Sequence, residues 1–150
     1  MSARRVDAVV LDYGGVLTGP DPAMFALVEE LRALDIRVAL LSNSWGNTYP
    51  RGRIDTLLDP VVISGEVGLR KPLAPIYLLT LDRLGLPADR VVLVDDAEPN
   101  VLGARAVGMR AHLHADSDAT RAALAGLCPG LSGRPPVAVP RLTESTGESA

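Results

Sequence analysis

An α/β fold built on a doubly wound parallel sheet of three layers is predicted by three features of this sequence. Short runs rich in Val, Leu and Ile recur at residues 9–11, 38–41, 61–63 and 91–94 without polar alternation, the pattern of strands buried on both faces. Segments with helical spacing of apolar residues separate these runs, so strand and helix alternate and the crossovers are right-handed. Polar residues capable of chemistry stand at the ends of three runs: Asp12, Ser42 with Asn43, and Asp95 with Asp96. Open α/β sheets place their ligands at the carboxyl ends of their strands. At 150 residues the chain is one domain with a single layered core.

The elements follow in order. The first strand ends on Asp12, and Gly14 and Gly15 then let the backbone turn sharply and approach a bound group. A helix comes next, with Asp21 as N-cap, Pro22 at its first position, and Met24, Leu27, Val28, Leu31 and Leu34 on one face. The second strand, residues 37–41, ends on Ser42-Asn43. Residues 44–67 hold a loop, a short helix around 53–58 and a brief strand at 61–63. Gly68-Leu69-Arg70-Lys71-Pro72 leads into a helix over 73–84, closed by Gly85 and Pro87. Residues 91–94 form the next strand. Pro99 suits the first turn of the helix that follows, Val101, Ala104 and Val107 give its apolar stripe, and Gly108 ends it. A strand over 109–113 and a short helix over 120–127 complete the core, which spans residues 1–128. Four of the 12 prolines (129, 135, 136 and 140) fall beyond it, and residues 129–150 read as a flexible tail.

The chemistry lies at the strand ends. If the first and fourth strands are neighbours, Asp12, Asp95 and Asp96 converge, and three clustered carboxylates repel unless a cation sits between them. Hard oxygen ligands completed by water suit Mg²⁺. The Ser42 hydroxyl and the Asn43 amide offer hydrogen-bond donors to an oxyanion. Lys71, beside a helix N-terminus, favours a phosphate.

Four motifs in this order resemble the haloacid dehalogenase superfamily of phosphohydrolases: Asp12 in LDYGGVLT, Ser42 in LLSNS, Lys71 in GLRKP, and Asp95-Asp96 in LVDDAEPNVLGARAVGM. Asn100, Ala104, Gly108 and Met109 also fit the family's continuation of the last motif, and the resemblance extends from Val6 to about Ala115. It implies a strand order of 5-4-1-2-3, which sets the first and fourth strands side by side. It also implies an aspartyl-phosphate mechanism. Asp12 would be nucleophile and Mg²⁺ ligand, with the Gly14 carbonyl as a second ligand, Asp96 bound directly, and Asp95 directly or through water. Ser42, Asn43 and the backbone around Tyr13 and Gly14 would hold the phosphoryl oxygens, and Lys71 would bridge nucleophile and phosphoryl group. A carboxylate attacks a dianion only where metal and ammonium cancel the repulsion.

Two departures from the family pattern bear on function. The family's phosphatases usually carry an acid/base Asp two residues after the nucleophile, where this chain has Gly14. Loss of a positioned acid lowers rates by roughly 10²–10⁴ when the leaving group needs a proton. Tyr13 and Glu98 are the candidate replacements. Neither segment flanking the second motif is long enough for a cap domain, so the site should lie open, shielded by the substrate itself or by a second copy in a homodimer. A capless core admits a phosphorylated small molecule or a phosphorylated macromolecule. The expected activity is a Mg²⁺-dependent phosphohydrolase with weak or leaving-group-selective turnover. The alternatives are a phosphate-binding regulatory module and a phosphotransferase.

Composition excludes some partners. With 15 Lys+Arg against 18 Asp+Glu, net −3, and no basic run, nucleic-acid binding has no electrostatic support. The single cysteine, Cys128, precludes an intrachain disulfide and suits a reducing cytoplasm. The first apolar run is too short for a signal-peptide core or a membrane span. His112 and His114 alternate and face one side, a weak basis for a metal site. Tyr13, Trp45 and Tyr49 flank the first two motifs, and Arg51 and Arg53 are either solvated or poised to meet an anionic substrate.

Overall fold

The computed structural model describes residues 5–44 and 51–134. Five parallel strands form one sheet: β1 (Ala8–Leu11), β2 (Arg37–Ser42), β3 (Val61–Ile63), β4 (Val91–Asp95) and β5 (Arg110–Leu113). Their order is β3-β2-β1-β4-β5, the predicted order read from the other edge. The crossovers carry α1 (Ala23–Ala33), α2 (Arg51–Leu57), α3 (Ser64–Val67), α4 (Ala74–Leu84) and α5 (Glu98–Ala106), and α6 (Ser117–Ala125) follows β5. No separate cap domain is present among the described residues.

The apolar runs become central strands because both of their faces are covered. Val9, Leu11, Val38, Leu40, Val92 and Val94 point into one core with Met24, Leu27, Val28 and Leu31 of α1, Ile54 of α2 and Leu124 of α6. Ala8, Val10, Ala39, Leu41, Val91 and Leu93 point into the other, against Ile76, Tyr77, Leu81 and Leu84 of α4 and Ala104 of α5. Alternate residues thus serve opposite layers, as the two-residue period of a strand requires. Across the first layer, Arg121 of α6 is 5% exposed and pairs with Glu30 of α1 through both terminal guanidinium nitrogens.

Several boundaries differ from the sequence reading. α1 starts at Ala23, and Asp21 serves it from outside by accepting the Ala23 N–H at 3.0 Å. Pro72 precedes α4 without opening it, and Pro75 occupies the first turn. The four-residue α3 was not expected; it is mostly polar and closes on Gly68 at φ 74°. α6 begins three residues before the expected 120, because Asp116 caps it by accepting the Ala119 N–H at 2.8 Å. Its first turn is Ser-Asp-Ala, too polar to betray a buried helix. The packed chain also continues past Cys128: Leu131 is 7% exposed in the first core, and its N–H donates to Cys128 at 3.1 Å. Residues 135–150, the remainder of the expected tail, lie outside the described residues. The Val6 N–H donates to the Leu127 carbonyl at 3.0 Å, so the segment before β1 is tied to the one after α6.

Leu40 is fully buried at the centre of the sheet. Leu40→Ala should destabilise the protein by about 2–5 kcal/mol in urea denaturation. Leu78→Ala, at a side chain 52% exposed, should shift stability by no more than about 0.5 kcal/mol.

Candidate active site

Register builds the site. Leu11 pairs with Leu40 on one side and Val94 on the other. One step further along, Asp12 and Asp95 stand beside each other at the carboxyl edge, and the Asp12 N–H donates to Val94 at 3.0 Å. Lys71 reaches between them from the loop before α4. Its Nζ donates to Asp12 Oδ1 at 3.1 Å, to the Leu41 carbonyl at 2.8 Å and to Asp95 Oδ2 at 2.6 Å. An ammonium has three N–H groups, and all three are matched. Lys71 is only 1% exposed, and so complete a set of charged and carbonyl partners is what makes its burial tolerable.

Each partner of Lys71 is itself held. Asp95 is fully buried; its Oδ1 accepts the Ala97 N–H at 2.9 Å, and the Asn100 amide lies 3.2–3.3 Å from both carboxylate oxygens. Tyr77 in turn donates to the Asn100 carbonyl at 2.7 Å. Burial pushes the Tyr77 hydroxyl well above its usual range, so it remains a donor. Asn43 has a role the sequence reading missed. Its Nδ2 donates to the Lys71 carbonyl at 3.0 Å and its Oδ1 accepts the Lys71 N–H at 2.9 Å. The amide expected to meet a phosphate thus also grips the backbone of the buried lysine through one N–H and its oxygen. Ser42 closes β2 and is 3% exposed. The next turn is fixed by Ser64, whose Oγ accepts the Ser44 N–H at 2.9 Å.

The loop after Asp12 completes the edge. The Gly15 N–H donates to Thr18 Oγ1 at 2.8 Å, drawing the loop closed. Gly15 lies at φ 80°, and a Cβ there would stand 2.0 Å from Asp96 Oδ2. The backbone angle favours glycine there, and a side chain would also displace the Asp96 carboxylate. Gly14 differs: its φ lies outside the left-handed range, and a Cβ would meet nothing within 4 Å. Asp12, Asp95 and Asp96 each offer an oxygen, and these lie within 4.8 Å of one another. Asp96 is the exposed member and has no hydrogen bond among the described residues. An all-oxygen set with one uncommitted carboxylate fits a hard divalent cation.

Asp12 is pushed up to about 6, mainly by burial; Lys71 opposes the shift and the charge of Asp95 adds to it. The Tyr13 N–H also bonds the Asp12 carboxylate. Among the other candidates, Glu98 is exposed at the first turn of α5, and Tyr13 is half-buried against the first core. His114 Nδ1 lies 2.7 Å from Thr120 Oγ1, and burial lowers both His112 and His114, so they favour the neutral form. Arg51 is bound to Glu66 at 2.6 Å and to Asp55 at 3.3 Å, whereas Arg53 stacks 3.7 Å over the Phe25 ring. Trp45 and Tyr49 lie outside the described residues. A cavity of about 270 Å³ opens at the opposite edge among Arg32, Asp35, Arg37 and Asp59, and contains no member of the acidic cluster.

The family model for haloacid dehalogenase-like hydrolases matches residues 7–108, which contain every element of this edge. The chain belongs to that family. This haloacid dehalogenase-like protein is 33% identical over 125 residues to Phosphatase MT3486 of Mycobacterium tuberculosis (strain CDC 1551 / Oshkosh), a match spanning 80% of this chain and 57% of that protein. Across the curated relatives, the match spans 12–57% of their own lengths. An uncharacterized protein from Corynebacterium glutamicum superposes with a TM-score of 0.74 at 27% identity, covering 89% of this chain and 99% of that one. An enzyme of the same family from Bacteroides thetaiotaomicron, solved with magnesium and inorganic phosphate, shares the fold with a TM-score of 0.52 at 21% identity, covering 61% of this chain and 51% of that one. No helix among the described residues is long and apolar enough to cross a membrane.

Two outcomes follow for the haloacid dehalogenase-like site. Gly15→Ala should force the Asp96 carboxylate aside and weaken divalent-cation binding at least about tenfold in calorimetry, with the circular dichroism of the fold retained. Asp12 binds its proton more tightly folded than unfolded, so its contribution to stability is full below pH 3.8 and is lost as pH rises through about 6. The loss amounts to roughly 3 kcal/mol. Denaturant titrations between pH 4 and 7, without divalent cations, should show this decline in the unmodified protein and not in Asp12→Asn.

Proposed function

We propose that this chain is a Mg²⁺-dependent phosphohydrolase that works through an aspartyl-phosphate on Asp12, with turnover that is weak or selective for good leaving groups. The observation that carries the reading is Lys71, locked between Asp12 and Asp95 beside an uncommitted Asp96. The phosphatase name of the M. tuberculosis relative supports it. Asp12, Asp96 and the Gly14 carbonyl would hold Mg²⁺, with Asp95 joining directly or through water. The ion supplies positive charge that lets a carboxylate approach a phosphoryl dianion.

The residues divide the work. An Asp12 carboxylate oxygen forms a bond to phosphorus as the ester bond breaks, and the leaving oxygen departs with its electron pair. Water then attacks the same phosphorus, inorganic phosphate leaves, and Asp12 is restored. Lys71 fixes the Asp12 carboxylate and balances charge as it builds. Asn43 keeps Lys71 in place through its backbone. The Ser42 hydroxyl and the Gly14 amide meet the phosphoryl oxygens, while the Tyr13 amide holds the Asp12 carboxylate. Position 14 has no carboxyl to protonate the leaving oxygen or activate the water, which favours aryl and acyl phosphates over alkyl phosphates. The open edge admits a small phosphorylated molecule or a macromolecule, and a homodimer would supply a lid.

The test is a panel of aryl, acyl and alkyl phosphates with Mg²⁺ and with chelator, beside Asp12→Asn. Aryl and acyl phosphates should turn over far faster than alkyl phosphates, only with Mg²⁺, and not in Asp12→Asn. Binding without turnover would favour a phosphate-binding module. Gly14→Asp should raise alkyl-phosphate turnover by up to ~10²-fold, because backbone angle and space at position 14 accept a side chain. Equal hydrolysis of alkyl and aryl phosphates by the unmodified protein would assign the proton to another residue, with Glu98 and Tyr13 the first to mutate.

A further inference from the structure

Two arginines begin α2, and the fold treats them differently. Arg51 is neutralised by Glu66 and Asp55. Arg53 is exposed and stacks on the face of Phe25, 3.7 Å from the ring centroid. Phe25 sits in the first turn of α1 and packs against the first core, so the ring is a fixed platform. Both helices start at the catalytic edge. α1 follows the loop from Asp12, and the first residue of α2 is bonded to Glu66 in α3, which begins directly after β3 ends. A guanidinium stacked on an aromatic face is held in orientation while its edge N–H groups stay free for a planar anion. Lys71, by contrast, has no N–H left: its three donors go to Asp12, Leu41 and Asp95.

Building on the phosphohydrolase reading, we propose that Arg53 is a specificity-determining residue that receives a second anionic group, phosphate or carboxylate, on the leaving portion of the substrate. The substrate class is then a phosphate ester carrying a further negative charge. Lys71 balances charge at the reacting end through Asp12, and Arg53 answers the charge that projects over the rim. Guanidinium pairs with either anion through two parallel hydrogen bonds, and its stack on Phe25 reduces the freedom lost on pairing.

The test compares phenyl phosphate, 4-carboxyphenyl phosphate and 1,4-phenylene bisphosphate in the full chain with Mg²⁺, each read as the ratio of unmodified protein to variant so that leaving-group effects cancel. Arg53→Gln should lower kcat/KM about tenfold or more for the two doubly anionic substrates, through KM, and change phenyl phosphate less than about twofold. A larger loss with the bisphosphate assigns the site to phosphate, and a larger loss with the carboxylate assigns it to carboxylate. Arg32→Gln, at the far end of α1, removes the same charge and should change none of them. Equal ratios for all three substrates, or a loss that follows Arg70→Gln in place of Arg53→Gln, would overturn the assignment. Calorimetric binding of the same three compounds to Asp12→Asn, with and without Arg53→Gln, reads the preference independently of turnover. Absence of turnover in the unmodified protein would defeat the phosphohydrolase reading; absence of an Arg53-dependent binding preference would defeat this one.

Discussion

The rest of the sheet's carboxyl edge depends on one buried ammonium. Lys71 brings a full positive charge to a point where Asp12 and Asp95 would otherwise face each other across adjacent strands. Without it, the register that aligns β1 with β4 would drive two carboxylates together in a poorly solvated place. With it, one positive charge is shared between the two acids, which offsets half of their charge before any ion arrives. Asp96 keeps its charge exposed. The edge is thus folded around an internal cation while one carboxylate remains open to an external one.

The surrounding structure is arranged to keep that ammonium in place. Asn43 seizes its backbone from the end of β2, Asn100 steadies Asp95 from α5, and Tyr77 steadies Asn100 from α4. Three elements therefore converge on one residue, directly or through Asp95, by hydrogen bonds between polar groups that are largely withdrawn from water. Such groups are costly to leave unmatched, so the network favours a single arrangement. The rigidity of the site comes from this closed set of bonds, and no overlying domain is needed for it.

The fold was legible in the sequence because both faces of every central strand are apolar, a pattern that few other environments tolerate. Strand order and the meeting of Asp12, Asp95 and Asp96 followed from the motifs and agree with the sheet. Other features were hidden, each for a physical reason. The grip of Asn43 on Lys71 was hidden because a polar residue at a strand end gives no hint of whether it faces solvent or a neighbouring loop. The different surroundings of Arg51 and Arg53 depend on Glu66 and Phe25, which are far from each other in sequence. Gly15 combines a positive φ with the approach of Asp96 from another strand's end, whereas Gly14, beside it, stands in open space. The first turn of α6 is polar, and its cap, Asp116, resembles any loop aspartate.

The bond from Val6 to Leu127 ties the segment that leads into β1 to the one that follows α6. Val6 lies before β1 and Leu127 after α6, so both strands of traffic pass at the amino-terminal edge, opposite the carboxylates. A chain that enters and leaves through one narrow doorway can be spliced into a longer polypeptide with little disturbance to its interior. Neighbouring modules attached there would hang from the back of the sheet and leave the front unobstructed.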